Sequence, residues 1–109
     1  MPVPQLSIRH LENPTSLPLD VEYLMAGTLK LGNEAWLVLR DDVGEHELPI
    51  RDPTVEHRLL HNVPCWVGGP LIYNDDVALI GRLEIEDGRL VVANVVSAQV
   101  RRNDETYEF

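Results

Sequence analysis

The residues best suited to metal or nucleophile chemistry lie around one short predicted helix. His57 and His61 are four positions apart, which places them on one face of that helix, and Cys65 follows closely. A tetrahedral zinc site needs a fourth ligand, and His46 could supply it only if the fold brings it near. Paired helix histidines more often face solvent. We therefore predict no metal site and no cofactor.

Catalysis by a nucleophile has weaker support in the sequence. Cys65 lies between Pro64 and Trp66, and an apolar setting of this kind raises the pKa of a thiol and lowers its reactivity. The few serines lie outside any Gly-x-Ser-x-Gly elbow. Cys65 with a helix histidine as its base is the enzymatic alternative. We predict that the protein is not an enzyme and has no catalytic residues.

Residues 63–76, VPCWVGGPLIYNDD, form the longest internal connection between predicted elements. Ordinary connections are short and polar, whereas this one is rich in large apolar side chains. Either the segment plugs one end of the fold beneath the helix, or it presents an apolar surface to another subunit or protein. On the second interpretation, aromatic side chains on a firm loop are typical interface anchors. The predicted partner-binding residues are then Trp66, Leu71, Ile72 and Tyr73.

The elements around these residues have the pattern of antiparallel strands. Asp87-Gly88 is a strong two-residue hairpin signal, because a type I′ turn needs positive φ at both central positions. Folding VALIGRLEIEDGRLVVANVVSAQV at this turn collects apolar residues on one face. Gly81, in the middle of the strand, predicts a bend or bulge. The predicted pairs are Ile85–Leu90, Leu83–Val92, Gly81–Asn94, Leu79–Val96 and Val77–Ala98.

An earlier hairpin and one helix complete the predicted order. VEYLMAGTLKL and EAWLVLR flank a two-residue turn at Gly32-Asn33, with Leu29 opposite Trp36, and EHELPI is a short third strand. PTVEHRLLH predicts the single short helix, with Asp52 as its cap. The order is therefore strand, strand, strand, helix, strand, strand.

The segments AGTLKL…AWLVLRDDVGEHELPI and VALIGRLEIEDGRLVVANVV, with a helix between the third and fourth strands, resemble the OB-fold. The resemblance is one of pattern and order, and it implies a mainly β fold, a five-stranded OB-like barrel with one short helix. We assign residues 20–102 to this domain. Residues 1–19, whose prolines disfavour a helix, form an extended N-terminal arm, and 103–109 form an acidic C-terminal tail. A different small barrel or a two-layer α+β sandwich is the alternative.

Charge narrows the function classes. The 109 residues carry a net charge of −9, which repels phosphate backbones unless the arginines cluster. The resemblance implies oligonucleotide or oligosaccharide binding through the hairpin loops, but both loops are predicted to be minimal. We predict an acidic protein-interaction module that binds a protein partner or self-associates, for example a small inhibitor or immunity-type protein for a basic partner. Single-stranded nucleic-acid binding is the alternative, which a stripe of Arg40, Arg51 and Arg82 would favour.

The sequence also bears on compartment. A single cysteine rules out an intrachain disulfide framework. The segment MPVPQLSIRH has neither the basic nor the apolar region of a signal peptide, and no run reaches membrane-spanning length. We predict a soluble, cytoplasmic protein without a membrane partner.

Overall fold

The computed structural model describes residues 3–12, 16–64 and 73–109, and within these ranges the protein is mainly β. Strands β1 and β4 carry the alternation of buried and more exposed side chains that is expected of a sheet with one covered face. In chain order the elements are α1 (Ile8–Leu11), β1 (Glu22–Leu31), β2 (Ala35–Arg40), β3 (Glu45–Pro49), α2 (Val55–Asn62), β4 (Tyr73–Glu86), β5 (Arg89–Arg102) and β6 (Glu105–Glu108).

The strands form one antiparallel sheet in the order β3-β2-β1-β4-β5-β6. The predicted β-rich class with a short helix between β3 and β4 is confirmed. The sheet has six strands and not five, and its ladder does not close within the described residues. The sixth strand lies where the sequence predicted only an acidic tail. After β5 the chain reverses at Asn103, whose φ is 54°, and β6 then pairs with the last residues of β5.

The closing hairpin, β4–β5, turns where predicted. Asp87 and Gly88 have φ of 52° and 79°, as a type I′ turn requires. The pairs Ile85–Leu90 and Leu83–Val92 are confirmed, but irregularities on both sides of Gly81 and Arg82 shift the rest, so that the predicted partners of Gly81, Leu79 and Val77 are wrong. Their partners are Val95, Ala98 and Val100. The bulges insert extra residues into β5, and each one moves every later pair. A Cβ at Gly81 would lie 2.5 Å from the carbonyl oxygen of Asn94, so only glycine allows this approach.

The first hairpin, β1–β2, differs from the prediction by one residue. Leu31 pairs with Ala35, which leaves a three-residue turn. Leu29 therefore faces Leu37, and Lys30 is the partner of Trp36. This register turns two leucines into the core, whereas the predicted pairing of Leu29 with Trp36 would have split them between faces. Trp36 consequently lies on the outer face, where it is half-buried.

The N-terminal arm lies along β1. Because β2 pairs only with residues 27–31 of β1, the earlier part of β1 leaves Leu24 without a β2 partner. The arm takes that place: the Leu24 amide donates to the Pro4 carbonyl and the Leu6 amide donates to the Leu24 carbonyl, both at 2.9 Å. Leu6 is buried in the core. One helical turn, Ile8–Leu11, follows where the sequence predicted extended chain.

Helix α2 packs on the sheet through Val55 and Leu59, which are buried, while Leu60 is 53% exposed. The helix begins at Val55, two residues later than the predicted start. The core is aliphatic, as the composition predicts. Its largest fully buried side chains are Leu6, Met25, Leu29, Leu37, Leu39, Leu48, Val55, Leu59, Tyr73, Leu79, Leu83 and Val92. In the described part of the chain, no helix has the length and hydropathy needed to cross a membrane.

Candidate functional site

The gap between β3 and β5 is bridged by side chains and a single backbone contact. Ile50, after β3, forms one parallel bridge with Val92 of β5, and the Arg51 amide donates to the Val92 carbonyl at 2.8 Å. Beyond this point the bulged part of β5 turns backbone groups toward helix α2. Buried backbone groups need partners, and the helix and the turn before it supply them.

Asp52 is the main polar link between the turn before α2 and β5. Its Oδ1 accepts hydrogen bonds from the Thr54 amide at 2.9 Å and the Thr54 hydroxyl at 2.7 Å, and its Oδ2 accepts one from the Val95 amide at 2.9 Å. Burial alone would raise the pKa of the Asp52 carboxyl, but these bonds and the charge of Arg58 together hold that pKa below its ordinary value. Asp52 is therefore an ionised, buried carboxylate that fixes the helix against the bulge.

Arg58, one helical turn into α2, hydrogen-bonds to backbone carbonyl groups in the bulged part of β5. Its guanidinium donates to the carbonyl oxygens of Val95 and Val96, the second at 3.0 Å. The guanidinium carbon also lies 5.1 Å from the centre of the Phe109 ring, which is within cation–π range. Asp52 and Arg58 thus perform a structural role, and the role of Arg58 was not predictable because periodicity does not encode bulge positions.

Of the predicted partner-binding residues, Trp66, Leu71 and Ile72 lie outside the described residues, as does Cys65. Tyr73 is described, and its side chain has no exposed surface. Its hydroxyl donates to the Val63 carbonyl at 2.6 Å. The ring is inside the core and its hydroxyl is hydrogen-bonded.

A buried ion pair ties down the same region. Arg102 makes a two-pronged contact with Asp75, at 2.8 Å from Nε to Oδ1 and 2.7 Å from Nη2 to Oδ2, and the side chains are only 12% and 3% exposed. The pair also holds the pKa of the Arg102 guanidinium above its ordinary value. Nη1 of Arg102 donates to the Pro64 carbonyl at 2.7 Å. The residues flanking 65–72 are therefore anchored on both sides, by Tyr73 to Val63 and by Arg102 to Pro64.

The sequence contains a signal for this pair. In the alternating pattern of β4, Asp75 falls between Tyr73 and Val77 on the apolar face. A carboxylate at such a position is costly unless a cation meets it there. Arg102 falls on the same face of β5, since Asp76 pairs with Arg101 one position away. Strand alternation and a register would together have predicted the contact.

The candidate metal ligands are only partly brought together. The rings of His57 and His61 lie edge to face with centroids 4.3 Å apart. His46 lines a surface cavity with Leu11 and Arg89. Among residues 3–12, 16–64 and 73–109 no group of three or more metal-ligating side chains occurs. The described histidines therefore do not form a ligand set by themselves.

The arginines that would mark a nucleic-acid face are paired within the chain. Arg40 contacts Glu45 at 3.0 Å, Arg51 contacts Glu86 at 3.1 Å and Arg82 contacts Glu22 at 3.4 Å, and all three pairs are solvent-exposed. Many carboxylates have no such partner among the described ion pairs. The exposed ones are Glu12, Asp20, Glu34, Asp42, Glu47, Glu56, Asp76, Glu84, Asp87 and Asp104.

Comparisons with known proteins return no relative: no family model matches the chain, and no curated protein or solved structure matches it.

Proposed function

We propose that this chain is a non-enzymatic protein-interaction module whose acidic surface binds a basic partner protein. The observation that supports the proposal is the imbalance between exposed charges. Arg40, Arg51 and Arg82 are engaged by carboxylates of the same chain, whereas the unpaired carboxylates remain available to solvent. Such a surface attracts cationic proteins and speeds their association. A small inhibitor or immunity-type protein that covers a cationic site is the form of this function that we favour.

The OB-like architecture is part of the same proposal. The helix between β3 and β4 and the parallel bridge from Ile50 to Val92 support a barrel in which β3 approaches β5. Asp52 and Arg58 would then complete the closure that the ladder leaves unfinished. The single cysteine supports a reducing compartment such as the cytoplasm.

Within this function, the connection through residues 63–73 is the proposed apolar part of the binding surface. Its flanks are tied to Val63 and Pro64 by Tyr73 and Arg102. Flanks that are already fixed have little entropy left to lose on binding, which favours affinity. Trp66, Leu71 and Ile72 are the proposed contacts, and Tyr73 is the buried anchor beside them.

The test is capture of a partner from the native cell extract, followed by binding measurements with the purified pair. We expect a basic partner whose dissociation constant rises steeply with salt, because rim charges act mainly through the association rate. Neutralising Asp42 and Glu47 together, as Asn and Gln, tests the β2–β3 side of the surface, and Glu56→Gln tests the helix side. A partner that is neutral or acidic, or binding that ignores both salt and every charge variant, would refute the proposal.

Single-stranded nucleic-acid binding is a second candidate, favoured by the position of Trp36. This ring lies on the outer face opposite Lys30, and it shares a surface groove with Arg51 and Arg89. Aromatic rings next to cations can stack on bases. Fluorescence anisotropy with short oligonucleotides tests this candidate. Submicromolar binding that Trp36→Ala abolishes would support it, and weak binding unaffected by that variant would exclude this groove.

A further inference from the structure

The outer face of the sheet carries an uncharged patch across three adjacent strands, β1, β4 and β5. Leu24 of β1 pairs with Ile80 of β4, which pairs with Ser97 of β5. The neighbouring cross-strand row on the same outer face contains Ala26, Ala78 and Gln99. The four apolar members are half-buried, and the patch lines a surface groove beside Glu108 and Phe109. We call these six residues the outer patch: Leu24, Ala26, Ala78, Ile80, Ser97 and Gln99.

The charges at the two ends of the outer patch balance. On the same face, Glu22 and Arg82 form the row before it, and Asp76 and Arg101 form the row after it. The whole chain has a net charge of −9, so two copies repel each other in most orientations. An orientation that joins the two outer patches brings together the region of the face whose two charged ends balance.

We propose that the outer patch is a self-association surface that binds the outer patch of a second copy of this chain. The placement of residues along β4 fits a twofold axis that lies between the two facing sheets. This axis runs perpendicular to the strands and passes over Leu79. Asp76 and Arg82 lie equally far from Leu79 on either side, as do Ala78 and Ile80. Such an axis sets Ala78 over Ile80 of the second copy and Asp76 over its Arg82, so each contact occurs twice.

The spacing of packed sheets allows these contacts. Facing sheets lie about 10 Å apart, and their strands cross at roughly 30°. An arginine and an aspartate side chain together span that distance. Arg82 can reach the second copy because its contact with Glu22 is exposed, at 3.4 Å, and exposed pairs of this kind contribute little.

The area of the patch sets the expected strength. The two rows of the outer patch cover three strands about 4.8 Å apart and about four residues of 3.3 Å along each, which gives roughly 190 Å² of flat sheet. With the flanking charged rows the area is about 400 Å² per copy. The total, about 800 Å², is below the roughly 1,200–2,000 Å² of stable specific interfaces, which indicates at most a weak and reversible dimer. We expect a dissociation constant between about 10 µM and 1 mM. The inference is independent of the binding of a basic partner proposed above.

Sedimentation velocity on the full chain tests the proposal over protein concentrations from about 10 µM to 1 mM. We expect the weight-average sedimentation coefficient to rise toward that of a dimer. Ile80→Glu, which puts a carboxylate in the patch, should remain monomeric throughout. Leu60→Glu is the matched control, since it makes the same change on an exposed helix residue, and it should associate like the wild type. A wild-type chain that stays monomeric at every concentration would overturn the proposal.

A charge exchange identifies the face and the orientation. Asp76→Arg and Arg82→Asp should each weaken self-association, because each sets like charges against each other across the twofold axis. An equal mixture of the two variants should restore association at least to the wild-type level, since both charge pairs are then opposite in the mixed dimer. Thermal melts show whether each variant is folded. If Ile80→Glu is folded and associates as strongly as the wild type, the proposal is overturned. If Ile80→Glu does not fold, the mixture of Asp76→Arg and Arg82→Asp is the deciding test. The proposal is then overturned if mixing these two variants does not increase their association.

Discussion

Replacing Asp52 with asparagine changes one group in the link between helix α2 and the bulge of β5. The carboxylate uses both oxygens, one for Thr54 and one for the Val95 amide. Asparagine keeps the shape but has one oxygen, so one of its sides presents an NH₂ group. If Thr54 keeps its bonds, the buried Val95 amide faces another donor and loses its partner.

The cost follows from that unsatisfied amide. A buried donor without an acceptor costs about 1–3 kcal/mol, and the lost bond had a charged acceptor. We expect Asp52→Asn to lower the free energy of unfolding by about 2 kcal/mol, a large part of the roughly 5–15 kcal/mol typical of domains. The melting temperature should fall by roughly 10 °C for a chain of this size. Glu56→Gln, the same change at an exposed position of α2, should stay within about 0.5 kcal/mol of the wild type.

Urea unfolding at neutral and acid pH measures both the cost and its origin. The Asp52 pKa is lower in the folded protein than its ordinary value of 3.8. Its ionised form therefore stabilises the fold fully above pH 3.8, and that contribution is lost as pH falls through the lower folded pKa. The difference between wild type and Asp52→Asn should be constant near neutrality and shrink below pH 3.8. An Asp52→Asn variant as stable as the wild type at neutral pH, or a difference that does not shrink in acid, would refute this account of the link.

Three further substitutions test other contacts. Arg102→Met should lower the free energy of unfolding by about 3–5 kcal/mol, because it removes the cation that meets the buried Asp75 carboxylate. Replacing both partners with apolar residues should cost less, and a double-mutant cycle of urea unfolding measures the difference. Tyr73→Phe removes one buried hydrogen bond and should cost about 1 kcal/mol in the same assay, and no loss would mean that its hydroxyl is not bonded as described. Gly27→Ala should lower the melting temperature sharply, because the new methyl group overlaps a β2 carbonyl. Gly44→Ala, which has open space but a φ of 156°, is its control and should cost less.

Local signals predicted those parts of the fold in which neighbouring residues decide the outcome. The turn at Asp87 and Gly88 was predictable because its positive φ angles favour those residue types. The first two pairs of the closing hairpin follow from it, since a short turn sets the register beside it. The predicted pairing was wrong from Gly81 onward, away from the turn, because bulges insert extra residues into β5. The predicted pairing of the first hairpin was wrong for a related reason. Its turn has one more residue than predicted, so the partner of Leu29 is Leu37 and not Trp36.

The candidate site was less predictable than the sheet. Tyr73 was predicted as a partner-binding residue, and only the packed core could show that its ring is fully buried in this chain. The partners of Asp75 and Asp52 come from residues 27 and 43 positions away, Arg102 and Val95. Alternation alone places Asp75 on the apolar face, but the register that brings Arg102 to it and the bulge that presents Val95 to Asp52 arise only when the strands pair.

By itself, the sequence determined a mainly β domain with one short helix, an aliphatic core and an acidic surface, because alternation, turn chemistry and composition act over a few residues. The tertiary structure alone decided that β6 joins the sheet and that Asp52 and Arg58 bridge the gap beside β5. It also decided that Arg40, Arg51 and Arg82 form ion pairs with carboxylates of the same chain, while the outer patch contains no charged residue. These outcomes depend on which distant groups meet after the bulges have shifted the strands, since a buried polar group must find its partner wherever the folded backbone presents one.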